Sequence, residues 1–484
     1  MSGLVGLLLG AHLAVAASLD VGKISRRVQY APEADQQLAL STAAVKTLLR
    51  AQVDGAKADL INYGQLTTET PQAMQNALDE QLRGVKDLDP DEAKKLRDEN
   101  RRWQQGMMDA AIERSLQFHT TAPNGLSSRW LWFWTNHFNV YGPKDRVRIF
   151  LAHYESRAIA AHAFGSFRNL LRAVVLHPAM LVYLDNQNNQ RDRINENLAR
   201  EILELHTLGE GQGYTQSDIK ALARALTGYT LPQPGRPRKA GPCRRQHCVQ
   251  ISDSGSVFEP DLHDMEAKVF LGHYYPARSD GAELFDMLDA LAAHPATARH
   301  IATQLAQYFY GDEPPADLVE AAQATFLRTG GALDEVLLRL LQHPRFLDAR
   351  QRWVSDPFAH WVGIVRQLRE AGVELPVEQL TKWLKWNGEG HFNRVSPDGY
   401  PFISTFWDGA TTLSTRLNIA ESVASTVQQQ LKQADGGLAG QMPRLVARLK
   451  PNLGPNSAQV LEPYEKTPVR WLTLYFVSPE MLYH

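Results

Sequence analysis

Apolar residues recur three and four positions apart along most of this chain, which is the spacing of one face of an α-helix. The pattern is strong over residues 281–350. Runs of alternating β-branched residues joined by hairpin dipeptides, the usual signature of strands, are scarce. The sequence therefore predicts an all-α or nearly all-α fold, a globular array of many helices joined by long irregular loops.

Changes in composition divide the chain into four regions. A short apolar stretch precedes a charged N-terminal helical region, a helical core with the densest patterning, and a C-terminal helical region with a tail. The regions are residues 1–17, 18–122, 123–360 and 361–484.

Two segments interrupt the helical pattern. Residues 231–262 are rich in Pro, Gly, Arg and Ser and predict a long surface loop. Residues 386–412 are rich in Gly, Asn and aromatic residues and predict an irregular segment. A last helix is expected over about residues 413–432, followed by a tail that contains Gly and Pro.

Proline marks several predicted helix starts, because its missing N–H is not needed in the first turn. Asp89 is a favourable N-cap ahead of Pro90, so a long helix is expected to begin there. A leucine-rich stretch followed by His-Pro occurs three times, and the residue before a proline is driven out of the helical conformation. We therefore expect helix-to-helix corners at His177, His294 and His343, with ligation of a metal as the less favoured alternative.

The segment Trp130–Val140 is so rich in aromatic residues that a helix there is expected to be buried nearly all round. It places Asn136, His137 and Asn139 in an apolar setting, where an unpaired polar group costs ~1–3 kcal/mol. His137 is accordingly either a core histidine with satisfied hydrogen bonds or a catalytic base or ligand.

The segment Asn195–Gly209 is predicted to form one helix that stops at Gly209 or Gly211. Projection at about 100° per residue separates an apolar stripe from an adjacent polar stripe. The apolar stripe is Leu198, Ile202 and Leu205, and the polar stripe is Asn197, Glu201 and Glu204. His206 projects about 160° away from the polar stripe.

On this projection Glu201 and Glu204 can share one site, which His206 does not easily join. The spacing therefore does not produce the Glu-x-x-His half-site of di-iron helical bundles. Two carboxylates on a half-buried stripe could bind a metal ion, or share a proton with one pKa raised. The alternative is structural ion pairing, since arginines are available at positions 191, 193, 200 and 224.

Three further polar segments are candidate sites, centred on Asp185, on Asp218, and on His263-Asp264 with Lys268. Asp185 is either a ligand or a cap before a polar loop. Asp218 follows Thr215 at the spacing of a capping box, which favours a structural role. A His-Asp pair is common in metal hydrolases, but the dipeptide by itself is weak evidence.

Charge and motifs exclude several classes of protein. The chain has 51 basic and 53 acidic residues, and so lacks the excess of positive charge that is typical of a nucleic-acid-binding protein. It contains no Gly-rich phosphate loop, GxSxG, HExxH or CxxCH motif. No apolar run is long enough for a membrane-spanning helix. P-loop NTPases, α/β-hydrolases, zincins and c-type haem proteins are therefore not favoured.

The N-terminal residues Leu4–Ala17 have the length and apolar character of a signal peptide and end in Ala14-Val15-Ala16. No Lys or Arg precedes the stretch, so a buried N-terminal helix is the alternative. We expect export, most simply to the periplasm, with a cytoplasmic location as the alternative.

The chain has two cysteines, Cys243 and Cys248, close together in the predicted loop. A small disulfide loop would agree with export to an oxidising compartment. A reactive pair is the alternative, because Arg244 and Arg245 would lower the thiol pKa. A zinc site would need two more ligands.

Six segments make the chain similar to a bacterial family, the domain of unknown function 1800 family. In chain order they are FWTNHF, HPAMLVYLDN, NENLAREILELHTLGEGQGYT, DIKALARALTGY, LHDMEAKVFLG and HPATARHIATQLAQYF. The resemblance spans about residues 115–350 and continues more weakly to the terminal SPEMLYH. The positions that match the family's motifs are His137, Asp185, Asn195, Glu196, Asn197, Arg200, Glu201, Glu204, His206, Tyr214, Asp218, His263, Asp264 and Lys268.

The chain departs from the family pattern in two regions. The N-terminal segment lacks the usual Arg and Phe opening. Near the C-terminus the family tends to show Gly-Gln, then Pro-Pro and Gly-Trp, where this chain has NGEG at residues 387–390 and DGYP at residues 398–401. The resemblance therefore assigns no site residue to these two regions.

The resemblance implies an exported protein of a family without an established reaction, whose genes often lie beside those of sulfatase-like exported proteins. Two hypotheses follow. The first is an accessory or scaffold protein for such a sulfatase-like partner. The second is a metal-assisted hydrolase that uses a divalent metal. Its catalytic candidates are Glu201, Glu204, His137 and Asp185, and its metal-ligand candidates are Glu201, Glu204, His263 and Asp264.

Overall fold

A computed structural model describes residues 19–20, 27–28, 39–231, 255–347 and 353–483 of the chain. It is 67% helical with 4% strand, which confirms the prediction of a nearly all-α fold. Cys243, Cys248 and the apolar N-terminal stretch lie outside the described residues.

Residues 41–122 form three helices with side-chain caps. They are α1 (Thr42–Gln65), α2 (Pro71–Gln81) and α3 (Pro90–Thr121). Asp89 caps α3 as predicted, because its Oδ1 accepts hydrogen bonds from the backbone N–H groups of Asp91 and Glu92 at 2.9 and 3.0 Å.

The central region contains six short helices, two of which continue directly into π-helical turns. They are α4 (Gly125–His137), α5 (Val147–His153), α6 (Phe167–Val175), α7 (Pro178–Tyr183), α8 (Asn197–Glu201) and α9 (Gln216–Ala225). The π-helices are Tyr154–Ala160 after α5 and Ile202–His206 after α8. Since π-helical turns are rare and are frequent at functional sites, both turns are candidate functional segments.

Five helices follow: α10 (Glu283–Ala293), α11 (Pro295–Tyr310), α12 (Ala316–Thr329), α13 (Leu333–Leu341) and α14 (Pro344–Leu347). All three His-Pro corners are confirmed. In each corner the histidine Nδ1 accepts the backbone N–H two residues later, at 3.1 Å for His177, 3.1 Å for His294 and 3.3 Å for His343.

The C-terminal region differs from the expectation at its end. Residues 387–409 are irregular apart from a 3₁₀ turn at Ser404–Phe406, close to the predicted range 386–412. The residues expected to form a tail instead fold into four helices, three of which start at a proline. The helices of this region are α15 (Pro357–Glu370), α16 (Val377–Trp386), α17 (Ala410–Gln433), α18 (Gly437–Leu449), α19 (Pro455–Leu461), α20 (Pro468–Phe476) and α21 (Pro479–Leu482).

The described strands are short and form three antiparallel pairs. The pairs are β1 (Leu19–Asp20) with β2 (Ala39–Leu40), β3 (Tyr229–Thr230) with β4 (Val257–Phe258), and β5 (Lys268–Phe270) with β6 (His273–Tyr275).

One hydrophobic cluster runs through the structure from Val28 to Met481. Helix α4 lies inside it, and every one of its residues is buried, as the aromatic pattern predicted. Trp130 stacks on Phe133 and Phe164 and meets Trp134 edge-on, at ring-centroid distances of 5.9, 5.6 and 5.5 Å. Arrangements of this kind are the favoured geometries of aromatic pairs.

Candidate functional site

The turn Ile202–His206 changes the register of the predicted helix. The segment is α-helical only as far as Glu201 and then becomes π-helical, so the expectation of one regular α-helix is wrong. In the regular projection Leu205 would face the core, whereas in the structure Leu203 and His206 are buried and Leu205 is partly exposed. The wider turn therefore moves a histidine into the core in place of a leucine.

Glu201 and Glu204 lie on the partly exposed side of this helix, as the projection predicted. Glu204 is paired with Arg200 at 3.3 Å, and Arg200 also pairs with Glu196 at 3.2 Å. Gln216, the first residue of α9, donates to Glu196 at 2.6 Å. The arginine and glutamine thus hold two of the carboxylates in place.

Glu201 is different, because its carboxyl group makes no hydrogen bond or ion pair within the part of the chain that the structure describes. Burial is the main cause that raises its pKa above the usual value, and Glu204 and Asp398 add to it, while Arg200 opposes them. A half-buried carboxyl group with a raised pKa and like-charged neighbours is a candidate proton carrier or cation ligand.

The segment 394–398 faces this carboxyl group from the irregular C-terminal region. Arg394 pairs with Asp398 at 3.2 Å. The hydroxyl group of Tyr183 donates to the carbonyl oxygen of Val395 at 2.7 Å. Burial raises the pKa of Tyr183, and Glu201 and Asp398 also contribute. The resemblance assigned no site residue to this region, and the structure places it beside the motif helix.

Asp185 pairs with Lys144, whose Nζ lies 2.9 Å from Oδ2 of Asp185 and 2.6 Å from the carbonyl oxygen of Tyr183. Its backbone is left-handed, with φ of 60°, a conformation that Asp adopts more readily than most residues. Its side chain caps no helix, so the capping alternative does not apply.

A ladder of asparagines holds the loop before α8. Asn186 donates to the carbonyl oxygens of Leu226 and Tyr229 at 3.2 and 3.0 Å. Asn189 donates to Asn186 at 3.1 Å and accepts the backbone N–H of Asn195 at 2.9 Å.

The ladder continues through Asn195 and Asn197. Asn195 accepts the backbone N–H of Asn197 at 2.9 Å. The side chain of Asn197 donates to the carbonyl oxygen of Leu184 at 3.4 Å. These asparagines fix the start of α8, ahead of the partly exposed Glu201 and Glu204.

Two asparagines of the segment FWTNHFN anchor the irregular C-terminal segment. Asn136 both donates to the carbonyl oxygen and accepts the N–H of Tyr400, at 2.8 and 2.7 Å. Asn139 donates to the carbonyl oxygens of Arg394 and Ser396 at 3.0 and 2.8 Å. Both asparagines are therefore satisfied structural residues that position the segment next to Glu201.

His137 and His206 form a buried pair on the core side of the motif helix, with ring centroids 5.7 Å apart. Burial is the main cause that holds the pKa of His137 well below its usual value, and His206 and His300 add to it. The ring is therefore neutral. Its Nδ1 lies 2.7 Å from Gln304 Oε1 and its Nε2 lies 3.3 Å from the carbonyl oxygen of His206. His137 is thus hydrogen-bonded in the core.

His206 itself has both ring nitrogens buried, without a hydrogen-bond partner in the described residues. Burial lowers its pKa to about 3, so it is neutral in the folded protein. It is directed toward His137 and Phe138, and no contact joins it to the carboxylates of its own helix in the part of the chain that the structure describes.

His263, Asp264 and Lys268 belong to a second cluster. The Nε2 of His263 lies 2.9 Å from Glu283 Oε1, and the Nζ of Lys268 lies 2.9 Å from the same oxygen. Arg224 binds both carboxylate oxygens of Asp264, at 2.7 and 2.9 Å. Burial would raise the pKa of Glu283, but the hydrogen bonds from His263 and Lys268 outweigh it and lower the pKa.

Two further motif positions have structural contacts. Asp218 forms the predicted capping box with Thr215, whose backbone N–H it accepts at 2.8 Å. It also accepts the N–H of Leu271 at 2.6 Å. The hydroxyl group of Tyr214 accepts the N–H of Gly211 at 3.2 Å.

The sequence-predicted residues thus fall into three groups. Glu201 and Glu204 lie at a partly exposed site with residues 183–185 and 394–398, the two histidines lie behind them in the core, and the His263 group is a separate ion-paired cluster. In the part of the chain that the structure describes, no group of three or more His, Cys, Asp or Glu side chains is arranged to hold a metal ion.

Several polar residues that the sequence did not single out are central to the structure: Lys144, Glu155, Glu283, Gln304, Arg394 and Asp398. Glu155 is the clearest, because it is wholly buried on the π-helix Tyr154–Ala160. It accepts hydrogen bonds from Tyr63 at 2.5 Å and Ser115 at 2.9 Å, and His391 Nε2 lies at 3.1 Å. Its neighbours in the sequence include Ser156 and Arg157, so no local pattern marked it as buried.

These features define a nearly all-helical protein in which two π-helical turns carry buried polar side chains. The chain matches a family described as protein of unknown function (DUF1800) over residues 23–483, and it belongs to that family. The match extends well beyond the span of the six motifs and includes the divergent segment 387–401. No curated protein and no solved structure matches the chain. None of the helices in the described ranges is both long and apolar enough to cross a membrane.

Proposed function

We propose that this protein is a helical accessory or scaffold protein for an exported, sulfatase-like partner. The observation that carries the proposal is the internal use of the polar motif side chains. The asparagine ladder, Asn136 and Asn139 all bond to backbone groups of the same fold. Arg224 and Lys268 are paired inside the second cluster. Polar groups used in this way fix helix packing and leave few of them free for substrate chemistry.

The surface that suits a protein partner is an apolar strip, which we define as Ile403, Phe406, Leu413 and Leu417. These side chains are 40, 50, 38 and 47% exposed. Leu413 and Leu417 are four residues apart on α17 and so lie on one face of that helix. Exposed apolar side chains that cluster along one segment are typical of a protein interface.

We expect Leu417→Glu to abolish association with the partner and to leave the folded protein intact. Glu is a good helix former, and an exposed substitution changes stability by about 0.5 kcal/mol or less. The tagged full chain would be co-expressed with a sulfatase-like exported protein from the same genome, and the complex measured by size-exclusion chromatography.

Val460→Glu is the matched control, because Val460 is 61% exposed on α19 and lies outside the apolar strip. The control should retain the complex. Absence of a complex with the unmodified chain, or equal loss in both variants, would count against the proposal.

A second candidate function is metal-assisted hydrolysis at Glu201 and Glu204. The specific observation in its favour is the raised pKa of Glu201, a half-buried carboxyl group without a hydrogen bond in the described part of the chain. Two carboxylates suit a magnesium-type cation, which usually keeps several waters and takes few protein ligands. The bound ion would lower the pKa of a water and polarise the group under attack.

For this second function we expect protein purified without chelator to hold a stoichiometric divalent metal, and Glu201→Gln to lose it. Elemental mass spectrometry measures the metal. The raised pKa also predicts that wild-type stability falls as pH rises above 4.5 through the folded pKa of Glu201, because ionisation is disfavoured in the fold. Glu201→Gln should lack that fall in melting temperature.

Glu210→Gln is the control, since Glu210 is an exposed carboxylate in the loop after the same helix. Metal-free wild-type protein, with no dependence of any measured hydrolysis on Glu201, would exclude the second function and leave the scaffold proposal in place.

A further inference from the structure

A cleft of about 590 Å³ lies away from the motif carboxylates, between the segment after α1, the π-helix Tyr154–Ala160, α6 and α10. This volume is within the range of small-molecule sites, roughly 300–1,000 Å³. Thr67 to Thr70 form one wall, and Leu176 and Phe285 contribute apolar surface.

Two arginines are the permanent cations of the cleft lining, Arg157 and Arg172. Three histidines, His153, His162 and His177, line the cleft beside them, and Glu69 is the acidic residue of the lining. A cation in a concave wall attracts ligands of the opposite charge.

Arg157 is the cation best placed to meet a ligand. Its Nε and Nη2 both donate to the carbonyl oxygen of Thr67, at 3.2 and 3.1 Å, which fixes the plane of the guanidinium group. No carboxylate lies within ion-pair distance of it in the described part of the chain. A planar cation held in this way is suited to a carboxylate or phosphate group.

Arg172 has a different role in the wall. Its Nη2 lies 2.6 Å from Asp289, and its guanidinium group stacks over Phe285 at 5.1 Å from the ring centroid. Its charge is therefore balanced, and it fixes the position of the aromatic side of the cleft.

The hydrogen positions on two histidines follow from their contacts. His177 accepts the N–H of Ala179 on Nδ1, so its neutral ring carries hydrogen on Nε2. That N–H donates to Nδ1 of His153 at 3.0 Å. His153 consequently carries its own hydrogen on Nε2, whereas both ring nitrogens of His177 are used in these two hydrogen bonds.

We propose that this cleft binds a small organic anion. Its carboxylate or phosphate group pairs with Arg157, and its apolar part contacts Leu176 and Phe285. The proposal is independent of the accessory function and of the Glu201 site, because none of the residues at that site lines the cleft.

The test is Asn169→Asp, measured by isothermal titration calorimetry with inorganic phosphate and, separately, with succinate. Asn169 lines the cleft and lies in the first turn of α6, where an acidic residue interacts favourably with the helix dipole. The variant should therefore fold, but its added negative charge should weaken anion binding by at least about tenfold. Arg157→Gln should abolish binding.

Asn456→Asp is the matched control, because it makes the same change at an exposed position in the first turn of α19. It should bind as the unmodified chain does. Binding of phosphate alone would identify a phosphorylated ligand, and binding of succinate alone a carboxylate. The proposal is overturned if the unmodified chain binds neither anion, or if both Asn→Asp variants lose binding equally.

Discussion

Glu155→Ala should destabilise the protein by about 3–5 kcal/mol, because it removes the common acceptor of a wholly buried hydrogen-bond cluster. Tyr63, Ser115 and His391 would each lose a partner in a region closed to water. Urea unfolding followed by circular dichroism measures the change in the free energy of unfolding.

Glu155 should also make the stability of the folded protein depend on pH. Burial would raise the pKa of Glu155, but the charge and hydrogen bond of His391 outweigh it, so its pKa lies below the usual value of 4.5. A depressed pKa means that the carboxylate stabilises the fold above pH 4.5 and that this contribution is lost as pH falls through the folded pKa. Glu155→Gln should therefore lose less stability than wild type on acidification.

Glu113→Ala is the control for this prediction, since Glu113 is exposed on α3. It should change the free energy of unfolding by about 0.5 kcal/mol or less. A similarly small change for Glu155→Ala would mean that the buried cluster does not stabilise the fold.

Lys268→Ala should also lower the free energy of unfolding by about 3–5 kcal/mol, because it leaves the buried carboxylate of Glu283 without the lysine cation. Lys268 and Glu283 are 2 and 1% exposed, and the lysine ammonium group also donates to the carbonyl oxygens of Asp264 and Glu266 at 2.6 and 3.0 Å. The double variant Lys268→Met/Glu283→Gln should recover part of the loss, since no unpaired charge then remains.

Lys220→Ala, at an exposed position on α9, is the matched control and should leave the unfolding free energy nearly unchanged. If Lys268→Ala kept full stability but altered metal or anion binding, the His263 cluster would have a functional role in place of a structural one.

Helix caps and buried helices could be predicted from the sequence because they depend on neighbouring residues. Asp89, Thr215 and the three His-Pro corners each act on backbone groups two or three positions away. Helix α4 is so rich in aromatic residues that its burial could likewise be predicted without knowing which segments pack against it. The Gly and Pro content after residue 433 predicts a tail, whereas in the structure proline starts three of the four helices there.

The candidate site shows the limit of such local reasoning. The sequence placed Glu201 and Glu204 on one side of a helix and His206 on another, which the structure retains. A regular helical projection could not show the π-helical turn. This turn buries Leu203 and His206 in the core and leaves Leu205 partly exposed. A π-helical turn is stabilised by packing around it, and packing depends on distant segments.

The sequence by itself determined the helical class, the capped helix starts, the buried aromatic helix and the family resemblance, since these rest on spacing and on local hydrogen bonds. Only the tertiary structure decided which polar groups are partners. Glu155 meets His391 across 236 residues, and Asn136 meets Tyr400 across 264. Pairings at that separation depend on how the helices pack, because the chain between them does not constrain the distance, and they determine which carboxylates remain available for function.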